Sequence, residues 1–450
     1  MHIVTFLFHF FACSSSEDLQ ISITNSDTIP SVIQVTVNGT VAGTSWITGE
    51  SLEQTWKTDT QKNQTEAVFT LLGLHPNSEH QITIHWEDQE GNKEEKTTSI
   101  SIPPLGELSS ALPIQVDINQ NMDGYLFGTV FGDPIYLVLL DMKGNILWGI
   151  EQGDLDHGGI DSDLSSDRNS IYFNEFHKDK SIDDSRIKKI SWMGEIEEEL
   201  QTPLAHHMFD VLPDGSIVYI ALDLRDTEQY GPVCGDQIIK RSPDGTEEIL
   251  FSTWEHMTVH QSSSWAFVLY PFCRDWTHGN FIEWDQDRES FLFSTAGTDT
   301  IFELSPQGEP LQQITGFSAY APLWIFEPAD GVFSYPHGPH WNQNGELMFI
   351  STRQDLSSAA RYQIHDDTDI LEQTWSWGTE YGYQAYHLGE VMEINGNQTL
   401  INWGSVGVIQ ILNENNSLLW EAHSGLNQWF AQFEYWDTLP HMEIIESKDN

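Results

Sequence analysis

Basic residues are scarce in this chain. Among 450 residues there are 19 Lys and Arg against 68 Asp and Glu, a formal charge of −49. A surface this acidic repels phosphate backbones and anionic headgroups. It excludes nucleic-acid binding and electrostatic docking on acidic membranes. Long apolar runs are also lacking: IVTFLFHFFA at 3–12 is too short to span a bilayer, and no other run approaches that length. Cysteine is limited to three residues. What is present rules out disorder, since 39% of residues are hydrophobic and 12% aromatic, with 17 Trp among them. The bland reading of the charge is a solvated surface suited to salty water. The length suits one small domain beside a large all-β one.

The run at 3–12 suits the apolar core of a signal peptide. Ala12-Cys13 followed by SSSEDLQ resembles a bacterial lipoprotein processing site, in which Cys13 becomes the lipidated N-terminus. Residues 1–17 are therefore expected to be a processing segment, and the protein to be exported, periplasmic or at the cell surface, with a lipid anchor to the membrane. Cys234 and Cys273 then remain. An even pair in an exported protein predicts one disulfide, with two unpaired buried cysteines as the alternative.

Residues 18–107 read as short strands punctuated by Gly, Asn and Pro: ISITNS, SVIQVTV, EAVFTLLGL, HQITIHW and KTTSISI. The stretch LLGLHPNSEHQITIHWEDQEGN resembles a fibronectin type III segment, with His80 where that family carries its corner tyrosine. A small β-sandwich is expected there.

The remainder repeats. Strand–turn–strand units recur as IYLVLLDMKGNILW, RIKKISWMGEIEEEL, DQIIKRSPDGTEEIL, TIFELSPQGEPLQQI, ARYQIHDDTDILEQTW and VIQILNENNSLLWEA. Their turns fall at Gly144, Gly194, Gly245, Gly308, Thr368 and Asn416, and a second hairpin precedes most of them. Six units of four strands predict an all-β fold with a six-bladed β-propeller over 108–450, the first strand of each blade lining the channel.

Five of the inner hairpins open with histidine: His157, His207, His278, His337 and His387. Equivalent positions would aim all five at one end of the channel. Reflection about the Asn344-Gly345 turn places Arg353 beside them. Imidazoles and a guanidinium with no carboxylate fixed among them suit a tetrahedral oxyanion better than a metal. Two insertions, at 254–277 and 316–336, precede His278 and His337. They carry Trp265, Phe267, Tyr270, Phe272 and Trp276, then Phe317, Tyr320, Trp324, Phe326 and Tyr335. Such rings could wall a pocket for a flat apolar ligand, with Trp276 and Trp324 foremost.

The segments HHMFDVLPDGSIVYIA, DWTHGNFIEW, HGPHWNQNGELMFISTR and HLGEVMEINGNQTLINWGS resemble motifs of bacterial aryl-sulfate sulfotransferases. That resemblance implies a β-sandwich followed by a six-bladed propeller. It also implies transfer of a sulfuryl group from a phenolic sulfate donor to a phenolic acceptor, without cofactor or nucleotide sulfate. By motif position, it makes His387 the nucleophile that carries the group. His278 and His337 would bind the sulfuryl group and move protons, and Arg353 would hold the oxyanion. His207, His157 and His340 would complete the substrate site. A homodimer is compatible with this reading. The alternatives are a non-catalytic surface propeller binding a ligand or protein, and a metal-dependent hydrolase using the histidine ring.

Overall fold

The computed structural model describes residues 19–50, 54–155, 157–177, 182–259, 270–316, 320, 323–354 and 356–447. The processing segment with Cys13, and the insertion residues Trp265, Phe267 and Phe317, lie outside them.

Seven sheets form, and six of them are the blades. Blade one comprises Tyr125–Phe131, Ile135–Asp141 and Ile146–Gly153, with Trp429–Trp436 as its innermost strand. Blade two runs from His157–Gly158 to Ile196–Gln201, blade three from Ala205–Val211 to Glu247–Ser252, and blade four from Gly279–Asp285 to Pro310–Thr315. Blade five runs from His337–Trp341 to Ile370–Trp377, with Ile325–Glu327 on its rim. Blade six runs from Glu390–Ile394 to Leu418–His423, with Gln115–Ile118 added outermost. The ring is thus closed from both ends of the propeller sequence.

Burial explains the composition of each strand. A second strand is covered by a neighbouring blade on either face, so Ser290–Thr295 (SFLFST) is buried at every position and reads as a continuous apolar and small-residue run. The outermost strand Ile196–Gln201 (IEEELQ) faces water over most of its length and is mainly acidic. Hairpin turns repeat one device, in the outer hairpins of blades one and six and the inner hairpin of blade five. Asp141, Asn342 and Asn413 each accept two backbone N–H groups through Oδ1, and left-handed residues follow at Gly144, Gly345 and Asn416. In blade five's outer turn the left-handed residue is Asp369, one past the expected Thr368.

Blades are stitched by buried side chains. Asp161 and Asp163 accept the N–H groups of Phe209 and Val211, Asn280 donates to Pro336 O, and Glu390 accepts from Phe433 N–H. These contacts fix each inner strand against the next, and hence the spacing of whatever the inner strands carry.

The N-terminal strands make a separate seven-stranded sheet system. The 18-residue strand Ile33–Glu50 pairs with Gln20–Asn25 and Gln61–Leu71 through its first half, and with Gln54–Thr58 and Ser78–Asp88 through its second. Passing from one layer to the other, it encloses an apolar core of Val35, Ile47, Phe69, Ile82 and Trp86, as a small β-sandwich requires. His80 is buried, and its Nε2 lies 2.7 Å from Ser78 Oγ and 3.2 Å from His75 O. The last strand, Met442–Ser447, pairs with Gln54–Thr58. This strand therefore belongs to the sandwich sheet, whereas the expected boundary at 107/108 left it with the propeller.

Candidate active site at the channel mouth

The inner strands of blades three, four and five begin with register shifts, between Ala205 and Phe209, Gly279 and Phe281, and His337 and His340. Left-handed backbone marks the same places. His207 and His278 adopt φ of 55° and 52°, and Gly338 and Leu388 adopt φ of 56° and 65°. Such bulges bend a strand and re-aim its side chains. Positive φ falls on His207 and His278 themselves but on the residue after His337 and His387. The left-handed residue therefore falls one position later relative to the histidine in blades five and six than in blades three and four, where strict equivalence was expected. The same shift alters the blade-five hairpin: His337 pairs with Ile350, and Thr352–Arg353 is not opposite it.

Four of the five histidines converge. The rings of His207 and His278 meet edge to face, 4.8 Å apart, and both His278 and His387 act electrostatically on His337. Blades three to six each contribute one. For His157 the structure gives only the strand position, opposite His177 in blade two.

The group does hold fixed carboxylates, contrary to the expectation. His278 Nδ1 donates to Asp275 Oδ2 at 2.6 Å, with both side chains buried. Burial pushes against a charge on His278, but the Asp275 carboxylate and its hydrogen bond, helped by Asp236, outweigh it and raise the pKa above the ordinary 6.5. His337 behaves in the opposite way. Burial and the charges of His278 and His387 hold it down at about 3. Its Nδ1 donates to Gly389 O at 3.1 Å, and its Nε2 accepts Leu388 N–H at 3.0 Å. Both nitrogens thus grip the backbone next to His387, which leaves neither for a ligand. His206, which the sequence reading passed over, bridges His207 (Nδ1 to Nδ1, 2.8 Å) and Asp236 (Nε2 to Oδ1, 3.0 Å).

His387 is half-buried, its ring stacked on Trp429 at 5.9 Å, and Trp429 stacks in turn on Phe131. Phe176 stacks on His207 at 6.0 Å. Phe131, Phe176, Ile160 and Leu388 belong to one apolar cluster with Trp429 packed against it. Blades one and two therefore supply aromatic walls at the mouth. Trp276 is fully buried between blades three and four, its indole N–H on Tyr320 Oη. Trp324 lines a rim recess with Arg288 and Asp366. Two insertion aromatics reach the histidines: Tyr270 lies 5.8 Å from His206 and Tyr335 6.5 Å from His278.

Arg353 ends its strand at the same edge as His337, but it is exposed and its Nη1 donates to Asp330 O and Val332 O. His340 stands three residues after His337 in the same strand. Glu283 at 2.7 Å and Glu390 at 3.6 Å overcome its burial and push it up to about 10. It is therefore the counter-ion of a carboxylate belt. Burial raises Asp161, Asp163, Asp210 and Glu434 of that belt above the usual range. Cys234 and Cys273 are disulfide-bonded, Cα atoms 5.8 Å apart. The bond holds the strand Arg274–Asp275 parallel to Val233–Cys234, immediately before His278. Among the described residues, one group has ion-holding geometry, Asp117, Glu421 and His423 at the outer edge of blade six.

Fold and site together define a six-bladed propeller with an imidazole-lined, partly cationic channel mouth. The family model described as arylsulfotransferase (ASST) matches residues 119–444, which is well over half of the sequence. The chain belongs to the arylsulfotransferase family and is an aryl-sulfate sulfotransferase handling phenolic substrates. No curated protein matches it. Similar solved structures include a protein of unknown function from Bacteroides caccae (11% identity, TM-score 0.45, 70% of this chain and 100% of that one). A virginiamycin B lyase from Staphylococcus aureus with quinupristin shows 16% identity and a TM-score of 0.40, over 68% of this chain and 87% of that one.

Proposed function

We propose that sulfuryl transfer runs in two steps through His387. A lone pair on its imidazole attacks sulfur, an N–S bond forms, and the S–O bond to the donor phenol breaks. A phenol then attacks the sulfohistidine, the N–S bond breaks, His387 is restored, and the phenol proton passes to the histidine that protonated the first phenolate. Sulfuryl transfer resembles phosphoryl transfer in spreading charge over equatorial oxygens, so a fixed cation at the site lowers the barrier. The observation that carries the proposal is the division of charge among the gathered imidazoles. Asp275 and its hydrogen bond raise the His278 pKa above the ordinary value and favour its cation, while His337 is held low and clasps the backbone at 388–389. His278 thus suits the oxyanion role first expected of Arg353, and it can protonate the leaving phenolate. His337 serves to position His387. The stacked Trp429 and Phe131 suit a phenyl ring.

Mass spectrometry after incubation with a phenyl sulfate donor alone tests the intermediate. A gain of about 80 Da on the peptide containing His387 supports it. Turnover without any such adduct in rapidly quenched samples overturns it. Export with lipidation at Cys13 is part of the proposal, and the Cys234–Cys273 disulfide supports an oxidising compartment. A fibronectin type III-like sandwich is supported by the strand that crosses between its layers, and by His80 bonding upstream to His75 O as a corner tyrosine does.

A further inference from the structure

The strand that seals blade six carries a group of side chains that sulfuryl transfer does not use. Gln115–Ile118 comes from the N-terminal side of the propeller and lies antiparallel to Leu418–His423. Glu421 stands opposite Asp117, Ala422 opposite Val116, and His423 opposite Gln115. Alternation sorts this seam into two faces. Ala422 and Val116 pack into the apolar cluster shared with blade one. Asp117, Glu421 and His423 share the other face.

That face is supported from within. Gln410, in the neighbouring strand Val408–Leu412, stands opposite Glu421, so Gln410, Glu421 and Asp117 form one row across three strands. Gln410 is fully buried. Its Oε1 accepts the indole N–H groups of Trp403 at 3.0 Å and Trp377 at 3.3 Å, and its Nε2 donates to Glu421 Oε2 at 2.5 Å. Two indole donors settle which end of the amide is oxygen, so the donor end faces Glu421 and fixes the angle of its carboxylate. Glu421 Oε1 then lies 2.8 Å from His423 Nε2. The ligand atoms of Asp117, Glu421 and His423 all lie within 4.8 Å of one another. Two carboxylates directly opposite each other on neighbouring strands repel. Among the described residues no Lys or Arg pairs with either of them, and His423 alone offsets their charge.

We propose that Asp117, Glu421 and His423 bind a divalent transition-metal ion of the zinc class, which fastens the strand at 115–118 to blade six. One imidazole with two carboxylates is a zinc-type donor set, whereas calcium takes six to eight oxygen ligands. Ligand atoms about 2.1 Å from zinc stand about 3.4 Å apart in a tetrahedron, so rotation of the exposed Asp117 side chain closes the set. His423 binds through Nε2 with its hydrogen on Nδ1, and water takes the fourth position. Gln410 is a positioning residue, because it keeps Glu421 Oε2 occupied and presents Oε1 to the ion. The ion neutralises the facing carboxylates and joins the two ends of the propeller sequence. None of this depends on the transfer chemistry.

Calorimetric titration of the chelator-treated whole protein with zinc chloride, and separately with calcium chloride, tests the proposal. Zinc should bind at one site per chain, and at about 100-fold excess over Kd it should raise the melting temperature by about 3–6 °C. Calcium should do neither, and calcium binding as tight as zinc overturns the zinc-class assignment. Asp117→Asn alters an exposed side chain and spares the packed face, so it should fold and lose about 10- to 100-fold in zinc affinity, as should His423→Gln. Equal zinc affinity in both variants and wild type overturns the site. Anomalous X-ray scattering at the zinc edge gives the location: a peak among Asp117, Glu421 and His423 supports the proposal, and peaks only at other histidines mean an adventitious ion only and overturn it.

Discussion

His278 and Asp275 stand three residues apart, and the Nδ1 of one lies 2.6 Å from the Oδ2 of the other inside the protein. This pair fixes the charge of the channel mouth. Without Asp275, burial dominates and the His278 pKa falls. Asp275→Asn is expected to lower kcat/KM about 10- to 100-fold at pH 7.5 with donors whose phenols leave poorly. Activity in wild type depends on a proton held above pH 6.5, so its alkaline limb lies above that value. In the variant the limb moves to lower pH, and a pH–rate profile of both enzymes shows whether it does.

His337 makes the opposite prediction. Its folded pKa of about 3 lies below the unfolded 6.5, so the unfolded chain binds the extra proton between those values. Its contribution to stability is present above pH 6.5 and is lost as pH falls toward about 3. His337→Gln cannot titrate. Urea unfolding at pH 7.5 and pH 4.5 should therefore show a smaller loss in the variant than in wild type. An identical pH dependence in the two proteins would place the neutral His337 elsewhere.

How much of this was open to sequence reading depends on the range of the interaction. The outer turns were, because an Asx or Ser followed three residues on by Gly forms locally. Gly144, Gly194, Gly245 and Gly308 all take the left-handed φ that such turns require. Convergence of the histidines was also visible, because a repeat copies a position from blade to blade. The bulge was hidden: a one-residue shift changes neither composition nor period, yet it decides that His337 faces Ile350 and turns Arg353 toward the carbonyls at 330 and 332. The partners were hidden too. Asp275 could have been noticed, since the motif DWTH puts it three residues before His278. Asp236 lies in a different hairpin from His206 and is brought to it by packing alone.

His340 should govern the alkaline side of stability. Its pKa is raised from 6.5 to about 10, so its contribution is complete below pH 6.5 and is lost as pH rises through about 10. His340→Gln leaves the buried Glu390 without its cation. A cost of about 2–3 kcal/mol at pH 7 is expected. This is below the usual penalty for breaking a buried pair because the other partner, Glu283, is 42% exposed. Denaturant midpoints at pH 7 and pH 10 should converge between wild type and variant as the wild-type imidazole deprotonates.

The disulfide joins residues 39 apart in sequence and carries the strand that leads into His278. Loop-closure entropy for that separation is worth about 3–4 kcal/mol. Cys234→Ala with Cys273→Ala is expected to lower the melting temperature. Activity should fall as well, because Trp276 N–H bonds to Cys234 O two residues ahead of His278. Loss of stability with unchanged kcat would show that the bridge braces the fold without placing the site.

Electrostatics on the scale of the whole molecule give the last prediction. An anionic sulfate ester must approach a chain of formal charge −49. That figure counts every carboxylate as ionised, whereas burial keeps Asp161, Asp163, Asp210 and Glu434 protonated to higher pH, so the channel interior is less negative than the count suggests. The His278 cation is local, and the repulsion comes from the exposed surface. Salt near 0.15 M screens charges beyond about 8 Å, which suppresses the distant repulsion while sparing contacts within the site. Raising ionic strength from about 0.02 to about 0.3 M should therefore raise kcat/KM for an aryl sulfate about two- to tenfold, with kcat nearly unchanged. Progressive inhibition by salt across that range would mean that the approach of the ester is governed by attraction to a basic mouth, and that the acidic surface serves solubility alone.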